Sequence, residues 1–330
     1  MTNRPELSPY MRYLYSIFTL LTISSVVHAQ DASLLAGAMR ADTDADNTSF
    51  AVNVGYTQHL HKYFSVSADY LNEGHPKFHH RDGLGAQLWA HTAIPERGWS
   101  FGAGFGPYYY FDTTTGNGSL GDYRNEHGWG QLMSVNAIYH LHSRAYVEAR
   151  LSHTHGITSH DSSMLMVGMG YELGSVPRAI RLENADRGDN LIMLLAGRSI
   201  VNSFKSETST STGLEYRRTF TPNVEGSVIL MNEGKVDAAE RKGVSAQVWL
   251  LRPFTERTVL EMGFGAYAMR DQLDRTDPHA ERENHVAPIA SIGMRYRIDD
   301  HWRAQLTWSR VITNYERDSD VFLLGAGYAF

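Results

Sequence analysis

From Trp99 to Phe111 the chain alternates with a period of two. Trp99, Phe101, Ala103, Phe105, Tyr109 and Phe111 fall on one face, and Ser100, Gly102, Gly104 and Gly106 on the other. Side chains of an extended strand point alternately to its two sides, so this pattern predicts a strand with one apolar face and one small or polar face. The chain end repeats it, with Phe322, Leu324, Ala326, Tyr328 and Phe330 set against Leu323, Gly325, Gly327 and Ala329. A third example sets Trp302, Ala304, Leu306 and Trp308 against Arg303, Gln305, Thr307 and Ser309. Such segments run about ten residues, the length of a tilted membrane crossing rather than of a globular strand. Very short connections (His61 to Tyr63, Glu96 to Gly98, Asp299 to His301) alternate with longer polar ones (His75 to Arg81, Asp112 to Gly128, Asp271 to Asn284). The pattern predicts an all-β chain forming a transmembrane antiparallel β-barrel.

The chain is also an internal repeat. LLAG at Leu34 to Gly37 recurs at Leu194 to Gly197, Asn72-Glu73-Gly74 as Asn232-Glu233-Gly234, and Ala86 to Trp89 as Ala246 to Trp249, all at an offset of 160. Later the offset becomes 157, as where GMGYEL from Gly168 matches GAGYAF from Gly325. The expected organisation is a signal peptide over 1–30, repeat 1 over 31–173, a linker over 174–190 and repeat 2 over 191–330, with eight strands in each repeat. Sixteen strands can close once or twice. One pseudo-twofold barrel is favoured, because tandem barrels on one chain are uncommon and the terminal aromatic appears only once, the first copy ending in Leu173. Two eight-stranded barrels are the alternative. The linker supports it, as do the small inward residues, which suit a narrow interior.

Arg4 and Arg12 flank an apolar run from Leu14 to Val27, and Val27-His28-Ala29 resembles a cleavage site, so export is expected. With the barrel pattern, this predicts the outer membrane of a Gram-negative bacterium, with lipopolysaccharide as neighbour. A terminal Phe330 would be read by the barrel-assembly machinery. The net charge of −6 on 330 residues argues against a nucleic-acid partner, which requires a strong local excess of Lys and Arg. The absence of cysteine excludes disulfides and thiolate chemistry. No cofactor is expected.

Inward positions carry ionisable residues of both signs: Asp69, Glu73, Glu148 and Arg150 in the first copy, and Glu215, Arg217, Glu225, Glu261, Arg295, Arg297 and Arg303 in the second. Either they pair inside a filled barrel or they line a selective pore. Glu73 and Arg81, like Glu233 and Arg241, flank an outer hairpin and are placed to pair across it, with Asp82-Gly83 supplying turn chemistry. Histidine is uneven. Twelve of the 16 lie in the first copy, and His75, His79, His80, His153, His155 and His160 are replaced in the second by Lys235, Ala239, Glu240, Arg310, Ile312 and Arg317. The scaffold therefore does not need these imidazoles. A transition-metal site, a general base beside Ser152, Ser159 or Asp161, and a plain polar loop are the three readings.

With SHTHGITSHDSS between its seventh and eighth strands, the first repeat resembles the lipid A deacylases, outer-membrane barrels that cut an ester-linked acyl chain from lipopolysaccharide. The fragments LNEGHPKFHHRDG and GPYYYFDT are similar to exported barrel proteins grouped loosely with that family. The resemblance implies a His, a Ser two positions on and a Glu on the next strand. His153 matches the His, His155 stands at the Ser position, and Asp161 is the nearest acid. The candidate catalytic residues are thus His153, His155, Ser152 and Asp161, although strand parity turns Ser152 inward and His153 toward lipid. Arg310, at the outer end of a strand in the second copy, is the candidate lipid-phosphate contact. A channel or structural, surface-interacting role is expected first, and lipid A acyl-ester hydrolysis second.

Overall fold

A computed structural model describes residues 30–42, 47–115, 123–173, 190–203, 205–236, 239–273 and 282–330. The expected signal segment, apart from Gln30, and the linker up to Asn190 lie outside these residues. The first repeat forms β1 (Gln30–Ala41), β2 (Thr48–His61), β3 (Phe64–Asn72), β4 (His79–His91), β5 (Gly98–Thr115), β6 (Tyr123–His140), β7 (Ala145–Gly156) and β8 (Ser162–Glu172). The second forms β9 (Asn190–Val201), β10 (Thr208–Thr221), β11 (Val224–Lys235), β12 (Ala239–Pro253), β13 (Thr258–Leu273), β14 (Arg282–Arg297), β15 (Trp302–Val311) and β16 (Ser319–Ala329). Every neighbour pair is antiparallel, and each set of eight closes on itself.

The favoured single sixteen-stranded closure is therefore corrected to two eight-stranded barrels, β1 pairing with β8 and β9 with β16. The hydrogen-bond ladders are the physical reason: β1 and β8 pair from Asp31↔Glu172 to Ala41↔Ser162, and β16 and β9 from Ser319↔Val201 to Ala329↔Leu191, so neither copy keeps a free edge for the other. A Cβ on Gly37 would stand 1.9 Å from the Leu165 carbonyl oxygen, and one on Gly197 would stand 1.8 Å from that of Phe322. Only glycine permits so close an approach, and Gly106 and Gly265 repeat it at 1.8 and 1.9 Å away from the closing strands, so it marks tight strand packing around each small barrel. The repeated LLAG lies on β1 and β9, one of the two closing strands of each copy. The absence of a terminal aromatic at Leu173 does not prevent closure, because the Leu173 N–H donates to the Gln30 carbonyl at 2.6 Å.

A second difference concerns length. The described residues of the expected loops Asp112 to Gly128 and Asp271 to Asn284, namely 112–115, 123–128, 271–273 and 282–284, are strand. β5 and β6 are each 18 residues long and pair as far as Thr115↔Tyr123. At about 3.3 Å per residue such strands exceed the bilayer, so their threonine- and tyrosine-rich ends project beyond it. Asp82 and Gly83 likewise lie within β4 and make no turn.

Outward faces are apolar, with Trp99 at 59% and Leu324 at 63% exposure, whereas inward Glu148 and Glu215 are at 1% and 0%. An apolar exterior around a polar interior suits lipid and not water. Aromatic pairs mark the short-turn end, Trp99 with Tyr139 at 5.1 Å and Trp302 with Tyr328 at 5.7 Å between ring centres.

Inside, the charges are paired. In the first barrel Arg150 contacts Asp69 at 3.0 Å and Glu148 at 2.8 Å and lies over the Trp89 ring. In the second, Arg217 contacts Glu215 and Glu261, each at 2.7 Å, while Arg295 contacts Glu225 and Glu261, each at 2.9 Å. Trp89 and Trp249 occupy equivalent places and donate to Ser67 at 2.9 Å and Ser227 at 2.8 Å. The two barrels also touch laterally. Tyr70 packs on Trp308 with ring centres 5.0 Å apart, and His127 meets Asp318 at 2.6 Å.

Candidate functional site

The repeated Asn-Glu-Gly builds the outer mouth of each barrel. Gly74 and Gly234 take φ of +68° and +85°, a region that favours glycine, and their N–H groups donate to the Asn72 and Asn232 side chains at 2.8 and 3.0 Å. The turn that results places Glu73 and Glu233 inside, both buried. From there the two copies diverge.

In the second barrel Arg241 forks onto Asp271 through Nε at 3.0 Å and Nη2 at 2.8 Å, and reaches Glu233 only at 3.4 Å. The Tyr315 hydroxyl also donates to Asp271, at 3.0 Å. In the first barrel the equivalent Arg81 forks onto Glu73 instead, at 2.9 and 2.6 Å, and Tyr108 donates to the same carboxylate at 2.7 Å. Arg81 further donates to Thr154 at 3.0 Å, to Ser162 and Ser159 at 3.1 Å each, and to the His160 carbonyl.

Asp112, the counterpart of Asp271, is thereby left without an arginine fork. The Ser159 hydroxyl donates to it at 2.9 Å, His79 Nδ1 stands 3.0 Å away and His160 Nδ1 3.8 Å away. The His79 and His160 rings cross at 66° with centres 4.5 Å apart. Outside them, the His75 and His80 rings lie 3.9 Å apart. Burial, reinforced by the Arg81 guanidinium and opposed by Asp112, pushes the His160 imidazole down to about 4, so it is neutral at physiological pH. His75 is lowered by burial as well.

The predicted catalytic residues are only partly gathered. Ser152 faces the interior, buried and 2.9 Å from the Ser134 hydroxyl, and so stands apart from both histidines. His153 faces outward, with Nδ1 3.0 Å from the Ser163 hydroxyl on β8. His155 and Asp161 do meet, at 2.9 Å, and Asp161 also accepts the Gly156 N–H at 3.2 Å. Burial alone would raise the Asp161 carboxyl, but the hydrogen bond and charge of His155, the Gly156 N–H and the nearby His153 together lower it. Sequence reasoning missed Ser163 and Asp112. Asp112 was detectable as an acid shared by both copies whose neighbouring histidines are not shared.

Arg310 requires a correction. It is buried where the barrels meet, donating to Asp82 at 2.5 Å and to Asp320 at 2.8 Å, with its guanidinium over Phe111. Two carboxylates occupy it and leave no face for a lipid phosphate.

These features define a tandem pair of transmembrane barrels with filled interiors and unlike outer mouths. No family model and no curated protein matches the chain. Among solved structures it is similar to the N-terminal β-barrel domain of Pseudomonas aeruginosa OprF, at 13% identity over 43% of this chain and 96% of that one, with a TM-score of 0.35. It is similar also to Ail, the attachment invasion locus protein of Yersinia pestis, at 16% identity over 43% and 99%, TM-score 0.34. The translocator domain of the autotransporter NalP from Neisseria meningitidis is matched over 97% of this chain and 95% of that one, at 13% identity and a TM-score of 0.22.

Proposed function

We propose that this chain is an outer-membrane protein whose barrels serve as closed anchors and whose role is structural and surface-interacting rather than conductive. The observation that carries this reading is the packed interior. Trp249, Arg81, Arg217, Tyr108 and Tyr267 are fully buried inward side chains, whereas the lining of an aqueous pore is wetted. Lipopolysaccharide is the expected lipid neighbour. Phe330, paired to Asn190 at 3.0 Å with its side chain 55% exposed, is the proposed contact for the assembly machinery. The full chain in planar bilayers is expected to show no steady conductance. Porin-sized currents altered by charge reversal at Arg295 would overturn the closed-anchor reading. Fractionation with the outer membrane and a heat-dependent gel shift test the placement.

One observation favours a second reading, lipid A acyl-ester hydrolysis. His153 Nδ1 and the exposed Ser163 hydroxyl stand 3.0 Å apart on the outward wall, a separation that would let a base activate a serine nucleophile. Lipid A from cells expressing the protein would then lose one acyl chain, and Ser163→Ala and His153→Ala would each restore it. Unchanged lipid A in expressing cells refutes hydrolysis.

A further inference from the structure

We propose that His79, Asp112 and His160 form a site for a zinc-class divalent cation at the outer mouth of the first barrel. Their donor atoms lie within 4.8 Å of one another. A tetrahedral zinc ion with ligands at roughly 2.0–2.1 Å sets its donors about 3.3 Å apart. The separations from Asp112, 3.0 Å to His79 and 3.8 Å to His160, bracket that figure. Two imidazoles and one carboxylate are a donor set that suits zinc, with a fourth position left for water.

The comparison of the two barrels within the chain is the main argument. Both bury an aspartate at the same place on the fifth strand of the repeat, Asp112 and Asp271. A buried carboxylate needs a cation or several hydrogen bonds. The second barrel supplies Arg241, whereas the first commits Arg81 to Glu73 and turns imidazoles toward Asp112. Ala239 and Arg317 replace the two histidines in the second barrel, so the histidines accompany the loss of the arginine fork. His160 Nε2 is buried without a hydrogen-bond partner, as is Asp112 Oδ1; Asp271 Oδ1 shares that state in the second barrel, so of the two only the imidazole nitrogen is peculiar to the first mouth. Arg81 lies nearby, but the Glu73 carboxylate matches its charge. His79 is 26% exposed, which gives an ion access from outside.

Zinc chloride titrated into the full chain in detergent at neutral pH, against a chromophoric chelator, should show a saturable site for about one ion per chain. His79→Gln and His160→Gln should each weaken it by more than the roughly 10- to 100-fold that loss of even an outer-shell partner causes. His155→Gln should leave it unchanged. The heat-dependent gel shift reports the fold in each case, and Asp112→Asn replaces any variant that does not shift. No saturable zinc binding would return Asp112 to an ion pair with His79 and overturn the site. So would binding that survives both substitutions, whether it resides at His75 and His80 or elsewhere. Neither result bears on the bilayer recordings, so this proposal and the closed-anchor reading fail separately.

Discussion

Replacing Arg310 by Met should loosen the contact between the two barrels without unfolding either. Arg310 stands between Asp82 of the first barrel and Asp320 of the second, whose side chains are 5% and 15% exposed. Removing one partner of a buried ion pair costs about 3–5 kcal/mol, because the remaining charge stays out of water. Here two carboxylates would face each other, but both keep a donor, Tyr70 to Asp82 at 2.7 Å and Trp308 to Asp320 at 2.8 Å. The lower figure, about 3 kcal/mol, is therefore expected, which at 1.4 kcal/mol per decade is roughly a hundredfold in the docking equilibrium. The assay is proteolysis of the connection between β8 and β9 in mild detergent, followed by native electrophoresis. Wild-type halves should migrate together and Arg310→Met halves apart. Adding Asp82→Asn should recover part of the association by removing one of the two facing charges. If Arg310→Met halves stay together at wild-type dilution, the ion cluster contributes nothing to docking and the reasoning fails.

Gly265→Ala would set a Cβ 1.9 Å from the Ala246 carbonyl oxygen and Gly106→Ala one 1.8 Å from that of Ala86, so each should abolish the heat-dependent gel shift; normal assembly would show that the sheet can open there. His160 has a folded value of about 4, below the ordinary 6.5, so the folded chain binds fewer protons than the unfolded one between these values. Wild type should therefore lose stability relative to His160→Gln as pH falls from about 6.5 toward 4, read by urea unfolding; a pH-independent difference would refute it. Arg217→Met leaves Glu215 unpaired and strips Glu261 of one of its two arginines, and should cost about 3–5 kcal/mol in the same assay.

What the sequence disclosed, and what it hid, follows from the range of the forces involved. The alternation Trp99 to Phe111 is a local property of the strand, so face and parity were legible, including Ser152 pointing inward and His153 outward. Closure depends on which distant edges meet, and terminal aromatics do not encode that. The small inward residues, which suit a narrow interior, and the repeat, which gives each copy a full set of eight strands, were the signals that pointed to two closures. Arg310 looked available because the outer end of its strand was read without the first barrel, whose Asp82 is 228 residues away. The mouth of the first barrel shows the same limit. Histidine asymmetry was visible, but the residue that organises it, Asp112, is common to both copies and so drew no attention. Its chemistry changes only because a neighbouring arginine turns from one carboxylate to another. Duplication makes such a change inexpensive: the second copy keeps the arginine-locked mouth, and the first is free to place imidazoles around an acid that the fold already buries.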